Sequence, residues 1–171
     1  MRHTQSRWPW TWCEIIPDEK VQPAYMVPLA KAVVDWAAQD LSLKNPPKVV
    51  WFMRHKGLPP ALQTDGKTEI DLSPEQYFLI RLNMDSLKKS GCFFREYPDV
   101  VFIKIRRCPF NLAQTVLHEV RHAWQHQAGW SFSETRTKGG KRPAEEVDAA
   151  AYVRPLLQQM IPLIGRFSPR E

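Results

Sequence analysis

The chain has 171 residues, 43% hydrophobic and 25% charged, the mix of an ordinary globular domain with its own core, which excludes collagen-like, coiled-coil and wholly disordered classes. A net charge of +6 favours acidic partners or substrates without naming one. There is no 18-residue apolar run and no signal-peptide core, and the three cysteines (Cys13, Cys92, Cys108) are odd in number without a CxxC spacing, so no membrane span, no disulfide framework and a reducing, cytoplasmic setting are expected.

Residues 1–23 carry Trp8, Trp10 and Trp12 among Pro9, Pro17 and Pro23 and read as an arm packed on the body, because three exposed tryptophans are costly in water. The body is expected over 24–162, with an irregular tail over 163–171. Leu29, Ala32, Val33, Trp36, Ala37 and Leu41 recur at three- and four-residue steps and predict a helix over 25–42, stopped by Pro46 and Pro47. KVVWFMRH (48–55) is a strand by its β-branched and aromatic content, and 56–74, rich in Pro, Gly and Asp, reads as a loop. Residues 74–89 fit a helix or a strand. VVFIKIRR (100–107) alternates Val101, Ile103 and Ile105 with Phe102, Lys104 and Arg106, a half-polar pattern expected of an exposed edge strand.

The strongest helix covers 112–128. Asn111 and Gln114 resemble a capping box, Ala113, Val116, Leu117, Val120 and Trp124 form an apolar stripe, and Gly129 stops it. The polar loop 133–142 follows. Pro143 then opens a last helix over 143–160, with Glu145 and Glu146 at its positive end and Pro155 as a possible kink.

The 112–128 helix contains His118-Glu119-Val120-Arg121-His122, an H-E-x-x-H pattern. Histidines four apart lie one above the other on one helix face, so both imidazoles can reach one zinc ion. Glu119, beside the metal rather than aimed at it, can take a proton from the attacking water and pass it to a leaving amine. A catalytic zinc uses three protein ligands, so a third must come from elsewhere. His126 continues the four-residue spacing but lies about 12 Å of axial rise from His118, too far to share one ion. Glu145, Glu146 and Asp148 on the last helix are better candidates, beside Ala149, Ala150 and Ala151, which let that helix approach closely.

The stretch from 100 to 125, strand, proline turn and helix with HEVRHAWQ, resembles the core of gluzincin-like zinc metallopeptidases. Glu146-Val147-Asp148-Ala149-Ala150-Ala151-Tyr152 is similar to the E-x-[DE]-A-[DN]-x-[FY] signature of several such families, including metallopeptidase-like domains of mobile elements. The resemblance covers the C-terminal 60 residues or so. It implies an α+β, zincin-like domain with a short mixed sheet, an active-site helix and a C-terminal glutamate helix. It also implies Glu146 as zinc ligand with Glu145 as the substitute, Ala149 as the small contact residue, and a peptide substrate pairing with the edge strand. The sequence departs from the signature at Ala150, where Asp or Asn often orients a ligand; Asp148 or Glu145 is expected to orient His118 instead.

The expected activity is therefore zinc-dependent hydrolysis of peptide bonds, with His118, His122 and Glu146 as ligands and Glu119 as general base and then general acid. Tyr152 and Arg154 are candidates for stabilising the oxyanion. The alternative is a regulatory protein that keeps the metal fold and binds a transcription factor or DNA, with Arg106, Arg107 and Arg121 as its basic patch.

Overall fold

The computed structural model describes residues 26–52, 79–80, 91–104, 108–132 and 143–167. In chain order their elements are α1 (Met26–Asp40), β1 (Lys48–Phe52), β2 (Gly91–Phe93), β3 (Val100–Lys104), α2 (Pro109–Gln127), α3 (Ala144–Leu156) and α4 (Met160–Phe167). The N-terminal arm, the 56–74 loop, the ambiguous 74–89 segment apart from 79–80, and the 133–142 loop lie outside the described residues.

The fold is α+β, with a three-stranded mixed sheet in the order β1-β3-β2. β1 runs parallel to β3, with Lys48 opposite Val100, and β2 runs antiparallel to it, with Gly91 opposite Ile103. The edge expected at 100–107 is thus corrected: β3 is the central strand. The alternation there was real, but both faces are covered. Val101 and Ile103 enter the main core with the helices, while Phe102, fully buried, joins Val100 and Cys92 in a second cluster. The rings of Phe94 and Tyr97 meet Phe102 edge-on, with centroids 5.6 and 6.0 Å away.

The main core lies between α1 and α2 and is closed by α4. On α1 the buried residues are Met26, Leu29, Ala30, Val33, Val34, Ala37 and Ala38, paired positions one turn apart. The stripe is displaced by one residue from the expected one, leaving Ala32 and Trp36 half-buried. On α2, Leu112, Ala113, Val116, Leu117, Val120 and Ala123 are fully buried, and each larger aliphatic among them contributes about 1.5–3 kcal/mol on burial. Trp124 keeps the period of that stripe but is less covered than the rest of it. It is half-buried, and Trp130, which meets it edge-on, is 36% exposed.

Helix ends account for further differences. α2 begins at Pro109, with Cys108 as N-cap and no side-chain cap bond, so Asn111 lies within the first turn. Proline suits that start because the first-turn N–H groups have no helical partner. At the other end Gly129 adopts φ +85°, and the N–H groups of Gly129 and Trp130 donate to the carbonyls of His126 and Gln125, a Schellman closure. The single helix expected over 143–160 is two helices. Pro155 supplies no N–H to the last turn of α3, and α4 restarts at Met160. Pro162 falls in the first turn of α4, where its missing donor costs nothing, so the expected irregular segment after it is helical to Phe167, with Ile164 fully buried.

Cys92 is a buried free thiol. Cys108, also buried, is disulfide-bonded, and a single bridge is not the framework that the count speaks against. An odd cysteine count forbids complete pairing, not one bridge. Among the described residues no helix is long and apolar enough to cross a membrane.

Candidate metal centre

One turn of α2 separates His118 from His122, and the helix stacks their imidazoles nearly at right angles, centroids 4.7 Å apart, with their Nε2 atoms 3.1 Å from each other. α3 crosses this face and delivers Glu146. Its Oε2 lies 3.0 Å from Nε2 of His118 and its Oε1 3.1 Å from Nε2 of His122. One ligand atom from each of the three side chains falls within 4.8 Å of the other two, a group that can hold a metal ion. Ala149, three residues on from Glu146 and fully buried, is small enough for the two helices to come this close.

Glu145 is buried but is not in the group; its backbone carbonyl accepts from Gln125 Nε2 at 2.9 Å. His126 is outside the group too, set among the rings of Phe93 and Phe132. Glu119 is 7% exposed and not among the three donors. Its side chain lies under the start of β2, where a Cβ built on Gly91 would stand 2.8 Å from its Cγ.

The three side chains shift one another's proton affinities. Hydrogen bonding to His118, then to His122, outweighs burial and holds the Glu146 carboxyl far below the usual carboxylate range, so it stays ionised. Burial alone would make His122 less basic, but the hydrogen bond with Glu146, the charge of Glu119 and the contact with Gln125 together raise its proton affinity above the ordinary value. Two ring nitrogens and two carboxylate oxygens facing one another at 3.0–3.1 Å are all acceptors unless protons or a metal ion stand between them. A donor set of two imidazoles and a carboxylate is one that zinc accepts.

A second layer of contacts escaped the sequence reading. Gln125 Oε1 lies 2.8 Å from Nδ1 of His122, and its Nε2 donates to Asp148 Oδ2 at 2.7 Å. Arg121 clamps Asp148 with two hydrogen bonds, of 2.7 and 3.0 Å, holding that carboxyl below its ordinary range. The guanidinium sits 3.9 Å from the ring centre of Trp124 and 4.9 Å from that of Tyr152. The sequence offers Asp148 or Glu145 to orient His118, and Arg121 to a basic patch only on the alternative reading; Asp148 and Arg121 instead take each other as partners. The Tyr152 hydroxyl donates to Asp40 at 2.9 Å, so it is committed to α1 rather than to an oxyanion, and burial followed by that partner raises its pKa. Gln125 was findable, being three residues beyond His122 on the same face. The Arg121–Asp148 pair had no such signal, since its two residues lie on different helices and 27 positions apart in sequence.

No family model, no curated protein and no solved structure matches the chain.

Proposed function

We propose that the chain is a zinc-dependent metallopeptidase acting on a peptide or protein substrate. The observation that supports this most is the convergence of His118, His122 and Glu146 from two helices onto one point. These side chains would hold the ion through both Nε2 atoms and the carboxylate, three protein donors being the number a catalytic zinc uses. Zinc, when bound, supplies Lewis acidity toward a carbonyl and makes water a stronger acid. Glu119 then takes the proton from the attacking water and returns it to the nitrogen of the leaving amine, so that one carboxylate serves as base and acid in turn. Its near-complete burial keeps that exchange local.

The test is metal analysis joined to turnover. Wild-type protein should carry about one zinc per chain and His122→Ala almost none. Glu119→Gln should keep its zinc and lose turnover of a quenched-fluorescent peptide library by about 100-fold or more. A wild-type protein without zinc, or an unimpaired Glu119→Gln, overturns the proposal.

A further inference from the structure

Building on the metal reading above, we infer that Gln125 is a positioning residue that commits His122 to the ion: it holds the imidazole with its proton on Nδ1 and leaves the Nε2 lone pair for the metal. Gln125 is fully buried, so each end of its amide must find a partner in the protein. One end faces the backbone carbonyl of Glu145 at 2.9 Å and Oδ2 of Asp148 at 2.7 Å. Both partners only accept. A carbonyl has no proton to give, and the Asp148 carboxyl already receives two from Arg121. The end facing them must therefore be the NH2 group, because a flipped amide would set oxygen against two oxygens in a dry site.

That orientation puts Oε1 toward His122, 2.8 Å from Nδ1. An amide oxygen cannot donate, so Nδ1 carries the hydrogen. A neutral imidazole has one N–H, which leaves Nε2 unprotonated, and it is Nε2 that points at His118 and Glu146. The anchor of the chain is Arg121, fixed by its two bonds to Asp148 and by the rings of Trp124 and Tyr152. The tautomer of a buried ligand on α2 is thus set by a carboxylate on α3.

Gln125→Met removes both ends of the amide at nearly constant volume. The zinc dissociation constant, read by chelator competition, should rise about 10–100-fold, the usual cost of losing a partner that orients a ligand. Nuclear magnetic resonance of isotope-labelled histidine, at a pH above both imidazole titrations, reads the tautomer without any substitution. Wild-type His122 should be protonated on Nδ1 with and without zinc, and zinc-free Gln125→Met should move that proton to Nε2. Wild-type His122 protonated on Nε2, or a Gln125→Met protein that binds zinc as tightly as wild type, overturns the inference. If wild-type protein takes up no zinc at all, the metallopeptidase reading fails by itself, and the zinc-free tautomer still decides what Gln125 does to the ring.

Discussion

Gly91 opens β2 at the point where the sheet meets α2, and its lack of a side chain is required by space. A Cβ there would stand 2.6 Å from Cγ2 of Thr115, 2.8 Å from Cγ of Glu119 and 3.2 Å from its Oε1. The first two lie more than half an ångström inside ordinary contact, so Gly91→Ala must move something. Thr115 is the less able to yield. It is β-branched on a helix, and its hydroxyl donates to the Asn111 carbonyl at 2.9 Å, so turning Cγ2 away breaks that bond. Glu119, longer and unbranched, gives way first. The expected cost is about 1–3 kcal/mol of stability, the range for an extra carbon forced into a packed site. If the proposed chemistry holds, turnover also falls about 100-fold, because a general base displaced by about an ångström no longer reaches its proton. Zinc content should not change, since none of the three nearest atoms belongs to His118, His122 or Glu146. Denaturant unfolding, metal analysis and the peptide assay measure the three quantities separately. A Gly91→Ala protein as stable and as active as wild type would refute the claim that β2 seats Glu119. Lost zinc would refute the claim that this contact is separate from the metal ligands.

The proton affinity of His122 sets the pH dependence of metal uptake. Because the zinc-free fold raises it above 6.5, protonated His122 stabilises that fold fully below the unfolded value, and the contribution disappears as pH rises through the folded one. Zinc needs the same nitrogen unprotonated, so apparent zinc affinity should fall as pH drops through this window, with proton release on binding measured by calorimetry in two buffers; affinity independent of pH there would contradict the placement of His122. Ala149→Leu should cost about 1–3 kcal/mol by overpacking the fully buried contact of α3. It should also weaken zinc binding by drawing Glu146 away. Unchanged stability and affinity together would mean that Ala149 does not govern how closely α3 approaches.

Much of this chain could be read locally. Apolar residues at three- and four-residue steps marked α1 and α2, and β-branched runs marked β1 and β3, because helix and strand periodicity is a property of neighbouring residues. His118 and His122 were legible for the same reason, since four residues apart on a helix is a spatial statement. Glu146 came from resemblance to a signature, and the position of α3 against α2 is what brings its carboxylate to both imidazoles. The rest depended on segments distant in sequence. The alternation of Val101, Phe102 and Ile103 names two faces of a strand, but only the cluster around Cys92 and Phe94 makes the second face apolar, and only the pairing of β1 and β2 on either side puts β3 at the centre of the sheet. Trp124 keeps the period of the α2 stripe yet lies under Arg121, whose partner Asp148 comes from another helix. Gln125 is the clearest case. Its spacing from His122 is local and readable, but which end of its amide faces the ring is decided by Glu145 and Asp148, acceptors that folding alone brings within hydrogen-bonding distance.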